Sequence, residues 1–357
     1  MTLAELGWDE TFAAAYEPWQ SKANVRPGRV GIEFNQIFRI YLDQDEIDAI
    51  TAGRLKHRAR GRAELPAVGD WVVVRKRAEE DRGVIMEVLP RRSAFTRRAA
   101  GEPTGEQIVA ANVDVVFIVM GLDRDYNLRR LERYLVMARE SSASPAIVLT
   151  KPDLCLDLAA QLNEVTALAG DVVVHVANPK TGEGVEHLRR HFAPGRTAAL
   201  LGSSGVGKTT IINRLVGTDI RRTREVRGAD SRGRHTTTHR ELVALPDGGL
   251  IIDTPGMREL QLWASQESVE AVFDEIAEAA ANCRYRDCTH AGEPGCAVVG
   301  AVAEDRLASF HKLQKEAKYH EVMSDPVIVS NKAPQFVSFT QLRKAGAERK
   351  VDRKSVV

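Results

Sequence analysis

The chain has 357 residues, 43% of them apolar and 28% charged, with 50 Lys+Arg against 49 Asp+Glu. That length suits two or three domains with sizeable cores, and a net charge of +1 excludes a uniformly basic nucleic-acid coat and an acidic disordered chain. No apolar run approaches the roughly 18 residues of a membrane span. The first twenty residues carry Glu5, Asp9, Glu10 and Glu17 in place of an apolar signal core, so a cytoplasmic protein is expected.

Residues 1–27 have helical spacing of Leu3, Leu6, Phe12 and Trp19, interrupted by Pro18 and Pro27, and read as an N-terminal extension. Residues 28–95 read as all-β. Short apolar stretches at 30–32, 37–42, 71–74 and 83–89 are separated by Gly53, Gly61, Gly69 and Gly83. A segment of that size with some five strands suits a small barrel such as an OB-fold, a frequent oligonucleotide binder. Arg54, Lys56, Arg58, Arg60 and Arg62 form one acid-free basic run, and Arg91 and Arg92, then Arg97 and Arg98, follow the last strand. A solvated loop explains one such run. Two flanking the same barrel favour RNA contact through Arg58, Arg60, Arg62, Arg91 and Arg92.

Residues 96–265 read as an α/β domain. Strands are expected at 114–120, 146–150, 172–176, 198–201, 241–245 and 250–253, and helices at about 128–140, 157–168, 184–192 and 208–216. Between the fourth strand and the last helix, Gly202, Ser203, Ser204, Gly205, Val206, Gly207, Lys208 and Thr209 match G-x-x-x-x-G-K-S/T. Glycines let backbone N–H groups converge on phosphate, and the helix N-terminus adds its dipole. Lys208 should reach the β- and γ-phosphates, Thr210 should also face phosphate, and Thr209 should bind Mg²⁺. The strand ending at Asp253 continues as D-x-x-G to Gly256, so Asp253 should serve Mg²⁺ and the Gly256 N–H the γ-phosphate.

A guanine reader of the form N/T-K-x-D should follow that switch in ordinary order. It lies upstream instead, as Thr150, Lys151 and Asp153, and Asn178, Pro179 and Lys180 follow as a loop able to close over the base. The motif order is base, base, phosphate loop, switch: a circularly permuted P-loop GTPase. Permutation is tolerated where old termini can be joined and a surface loop opened.

Residues 266–320 read as helical around Cys283, Cys288, His290 and Cys296, spaced C-x4-C-x-H-x5-C. Three thiolates and an imidazole with no open position suit one structural Zn²⁺. His311 is remote in sequence, and Cys155 reads as a packed free thiol. Residues 321–357 read as a basic, partly disordered tail.

Barrel, permuted GTPase and knuckle together resemble the ribosome small-subunit-dependent GTPases of the RsgA/YjeQ family. The shared motifs are Arg58 to Arg62, Pro66 to Asp70, Leu89 to Ser93, Gly202 to Thr209, Gly233 to Thr238 and Asp253 to Gly256, and the likeness spans about residues 5–320. It implies a monomeric factor that binds 16S rRNA on the 30S subunit late in assembly, cycles between GTP and GDP, and hydrolyses GTP mainly on the subunit. The competing reading is an RNA-binding assembly chaperone, or a divergent paralogue, in which hydrolysis is incidental. Met257 follows the D-x-x-G and cannot orient water, so the resemblance carries the catalytic role to His235, with His239 as competitor. Thr236 or Thr237 should close on Mg²⁺. Thr150 replaces the usual Asn, and Asn178-Pro179 the usual Ser-Ala, so weaker guanine selectivity is expected.

Overall fold

A computed structural model describes residues 1–76, 82–98, 106–217, 240–253 and 264–324, with the side chains of Arg98 and residues 320–324 left aside. The first helix, α1 (Glu10–Gln20), is capped by Asp9, whose carboxylate accepts from the Thr11 and Phe12 N–H groups. It runs through Pro18, which lies in the last turn and forgoes a single intrahelical hydrogen bond. Phe12 and Tyr16, four residues apart, share the buried face. Trp8 and Phe12 close on Trp71 of the barrel at centroid distances of 4.8 and 5.6 Å, so the extension is packed onto the β domain.

Five strands follow: β1 (Val25–Phe34), β2 (Ile37–Leu42), β3 (Asp45–Thr51), β4 (Trp71–Lys76) and β5 (Arg82–Val88). The pairings β1-β2-β3-β5-β4 close through β4 on β1, the order of an OB-type barrel. β1 begins at Val25, and Pro27, expected as a break, pairs with Val73 inside it. β3 was not among the expected strands. Its Asp45, Glu46 and Asp48 hide the alternation that buries Ile47, Ala49 and Thr51. A hairpin, β6 (Ala94–Arg98) with β7 (Glu106–Ala111), then leads into the next domain.

The strands β8 (Val115–Gly121), β9 (Ser144–Thr150), β10 (Val174–Ala177), β11 (Thr197–Leu201), β12 (Arg240–Ala244) and β13 (Leu250–Asp253) lie in the order β10-β9-β8-β11-β13-β12. All but β12 are parallel, and most read as continuous apolar runs because both faces are covered. Helix α2 (Gly53–Arg58) lies in the barrel between β3 and β4, whereas α3 (Leu128–Glu140), α4 (Leu158–Ala169) and α5 (Lys208–Val216) complete this part, and the segment Val185–His191, expected as α-helix, is a 3-10 helix. Among the described residues no helix is long and apolar enough to cross a membrane.

The C-terminal part packs α6 (Gln266–Glu270) and α8 (Glu304–Ser324) onto α3, with α7 (Asp274–Ala280) against α6. Helix α8 extends four residues into the expected tail; the rest of that tail lies outside the described residues. The join is polar and buried. Glu132 of α3 has no exposed side-chain surface and accepts from Arg306 at 2.8 Å, from Ser309 at 2.5 Å and from Arg129. Arg133 clamps Glu316 with two bonds of 2.8 Å.

Arg91, expected at the RNA-facing surface, is held within the fold. Its guanidinium forks onto the fully buried Asp70 at 2.7 and 2.8 Å and donates to the carbonyls of Ala63 and Leu65, so four of its N–H groups are spent inside the fold. It fastens the loop before β4. Among the described residues, Arg91→Ala leaves the buried Asp70 carboxylate with the Ala67 N–H alone. The expected destabilisation is about 3 kcal/mol or more, read as a loss of unfolding temperature. An unchanged unfolding temperature with weaker RNA binding would return Arg91 to the surface-contact role.

Candidate active site and metal centre

Parallel strands deliver their C-terminal ends to one edge of a sheet, where ligands bind in such folds. The base motif begins at the end of β9, the second base loop follows β10, the phosphate loop follows β11, and Asp253 ends β13. Gly202 takes φ +150°, and a Cβ there would stand 2.2 Å from the Val119 carbonyl oxygen, so only glycine fits. Gly207, at φ +106°, begins α5 without a side-chain cap, leaving the first N–H groups of the helix for an anion. Lys208 Nζ folds back onto the carbonyls of Gly202 and Ser203, inside the loop that phosphate would enter. Ser204, Gly205 and Thr210 are exposed, Val206 is buried, and Thr209 and Asp253 are half-buried.

The base motif is tied to this loop. Thr150 is fully buried and its hydroxyl donates to the Val206 carbonyl at 2.7 Å, so the residue standing in for Asn joins β9 to the phosphate loop. Lys151 adopts a left-handed conformation and pairs with Asp123 at 2.7 Å. The Lys151 hydrogen bond holds the Asp123 carboxyl below its usual range. Asn178 donates to Asp153 Oδ1 at 3.0 Å and accepts from the Lys180 N–H at 3.1 Å. From α5, Arg214 donates to the carbonyls of Pro179 and Lys180 at 3.2 and 2.6 Å. Asp123 and Arg214 were missed in the sequence. Each acts through a partner distant along the chain, and only an unpaired-looking acid after β8 and a basic residue on the phosphate-loop helix hinted at them.

The basic run is exposed at Arg58, Arg60 and Arg62. Arg58 pairs with Glu87. Arg92 pairs with Asp9 at 2.5 Å and lies over the Phe12 ring at 4.2 Å. His235, Thr236, Thr237, His239, Gly256, Met257 and the six arginines between 221 and 235 lie outside the described residues.

Cys283, Cys288, His290 and Cys296 bring their ligand atoms within 4.8 Å of one another. His290 Nδ1 stands 3.7 Å from Cys283 Sγ and 3.6 Å from Cys296 Sγ. Edges near 3.5–4 Å are what a tetrahedron with bonds of about 2.0–2.3 Å requires, so the set could hold a metal. Two supports went unread in the sequence. Glu293 accepts from the Thr289 hydroxyl and from the Thr289 and Ala291 N–H groups, the first of these chiefly lowering its pKa to about 2. His311 Nε2 lies 3.3 Å from the His290 carbonyl oxygen, behind the cluster.

The family model described as RsgA GTPase matches residues 88–263, and one described as 50S ribosome-binding GTPase matches residues 197–332. The small ribosomal subunit biogenesis GTPase RsgA of Opitutus terrae is 49% identical over 342 residues, covering 92% of this chain and 93% of that protein. The chain belongs to the RsgA GTPase family. A relative of the same description in Methanosarcina acetivorans is 40% identical over 318 residues, covering 88% of this chain and 85% of its own length. The crystal structure of YjeQ from Thermotoga maritima aligns with a TM-score of 0.59 and 25% identity, covering 82% of this chain and 99% of that one. YloQ, a circularly permuted GTPase, aligns with a TM-score of 0.57 at 24% identity, over 84% and 97%, and shares the fold. As an RsgA-family member, the chain is a permuted GTPase whose substrate GTP comes with Mg²⁺.

Proposed function

We propose that this GTPase acts as a late assembly factor of the small (30S) ribosomal subunit, binding 16S rRNA and hydrolysing GTP when the subunit engages it. The observation that carries the reading is the tie between base motif and phosphate loop, Thr150 to Val206, in a chain whose relatives are named for small-subunit biogenesis. In this reading Gly202, Ser203, Ser204, Gly205, Val206, Gly207, Lys208, Thr210 and Gly256 hold phosphate. Thr150, Lys151, Asp153, Asn178, Pro179 and Lys180 surround guanine.

The Thr209 hydroxyl and Asp253 carboxylate are hard oxygen donors suited to Mg²⁺, with Thr236 or Thr237 closing on it. When bound there with GTP, Mg²⁺ would supply positive charge to offset the charge that develops on the phosphates. His235 orients the attacking water. Arg58, Arg60, Arg62 and Arg92 lie toward rRNA. The protein is cytoplasmic and monomeric. Its parts are the extension 1–27, the RNA-binding barrel 28–95, the GTPase domain 96–265, the metal domain 266–320 and the tail 321–357. Sedimentation with purified small subunits tests the assignment. Co-migration with a GTP analogue and release with GDP are expected; equal behaviour in both nucleotides contradicts it.

The metal of the knuckle is a structural Zn²⁺ in this account. Cys288→Ala should lose the bound metal and loosen the region 283–296, while nucleotide still binds the distant phosphate loop. Elemental analysis that finds no zinc in the wild-type protein would sink the assignment.

A further inference from the structure

The barrel and the GTPase sheet are one sheet. Along one edge β1 pairs with β4 through residues 25–29, then takes β12 as its neighbour through Ile32↔Glu241 and Glu33↔Arg240. A bulge between Val30 and Ile32 re-aims the strand at that change of partner. The join is narrow, two residue pairs against the five by which β1 meets β2.

It is also pinned by side chains. Arg240 Nη1 lies 3.2 Å from Glu33 Oε2 and 3.3 Å from the Ile108 carbonyl oxygen, so one guanidinium joins the barrel, the β6–β7 hairpin and β12. Both side chains are largely shielded, Arg240 at 11% and Glu33 at 27% exposure. Arg240 opens β12 directly after the segment that holds His235 and Thr236. One residue on, Glu241 sits between Ile32 of the barrel and Asp253 of β13 in a single cross-strand row. Two strand spacings put Ile32 roughly 10 Å from the Asp253 backbone.

We propose that this seam couples the barrel to the nucleotide site, with Glu33 and Arg240 acting as positioning residues for β12 and, through the cross-strand row, for Asp253. A ligand on the barrel that favours one setting of β1 biases β12 and the row to Asp253. By linkage, nucleotide state must bias the barrel by the same factor. The proposal rests on the reading that the small subunit stimulates hydrolysis, and its test has an arm independent of that reading.

Hydrogen exchange is measured on the full chain with GDP and with a non-hydrolysable GTP analogue. Amides of β1 near Ile32 and Glu33 should differ at least threefold between the two states. Glu33→Gln should shrink that difference, and the exchanged pair Glu33→Arg with Arg240→Glu should restore it. Exchange in β1 that ignores nucleotide overturns the coupling. In steady-state assays with small subunits, Glu33→Gln should lower the stimulated kcat at least fivefold, and by more than it lowers the unstimulated rate. Stimulation of Glu33→Gln equal to wild type also overturns it. If wild type shows no stimulation, the assembly-factor reading fails, and the exchange arm alone decides the seam.

Discussion

Asp153→Asn should lower GTP affinity about 30- to 100-fold, roughly 2–3 kcal/mol, and improve relative binding of xanthosine triphosphate. A carboxylate accepts from both guanine N1–H and the exocyclic amine, and charge-assisted bonds are the stronger kind. The bond from Asn178 sharpens the expectation. Asn178 donates to Asp153 Oδ1, so an amide at 153 would keep its oxygen toward Asn178 and turn its NH₂ toward the base. That NH₂ meets two guanine donors but suits a xanthine carbonyl. Titration with fluorescent guanine and xanthine nucleotides reads both affinities. Wild-type GTP affinity in the variant would mean that the loop after β9 does not read the base.

His235→Ala should remove most of the hydrolysis stimulated by small subunits, a fall of at least tenfold, or about 1.4 kcal/mol of barrier. Met257 follows the D-x-x-G and has neither donor nor acceptor with which to orient water. His235 belongs to a glycine- and arginine-rich segment, and rRNA contact through those arginines is the proposed source of the stimulation. GTP affinity should change little, because the imidazole acts on water rather than on the base or the β-phosphate. Paired stimulated rates at saturating GTP measure the effect. Equal stimulation of the variant would pass the role to His239 or to a group on the ribosome.

The phosphate loop was legible because its constraints are local. Gly202 and Gly207 are demanded by backbone conformation, and Lys208 follows at a spacing set by the loop itself. The permuted order was legible for the same reason, since each motif ends a strand whose apolar run announces it. What stayed hidden depends on partners far along the chain. Arg91 and Arg92 read alike in sequence, yet Arg91 is spent on Asp70 while Arg92 rests on the first helix. β3 was obscured by charges that sit on its outer face. The hairpin β6–β7 was missed because Arg97, Arg98, Glu106 and Gln107 occupy its outer ends. Thr150 read as a lost amide contact, but its hydroxyl fastens two loops, and an amide reappears beside Asp153 at Asn178.

Single-turnover GTP hydrolysis by the wild-type chain, with and without purified small ribosomal subunits, tests the central claim most directly. The account predicts slow hydrolysis alone and a rise of at least tenfold with the subunit, absent when the large subunit is supplied instead. A rate that stays the same with small subunits would contradict a small-subunit-stimulated GTPase and favour a nucleotide-gated RNA-binding chaperone.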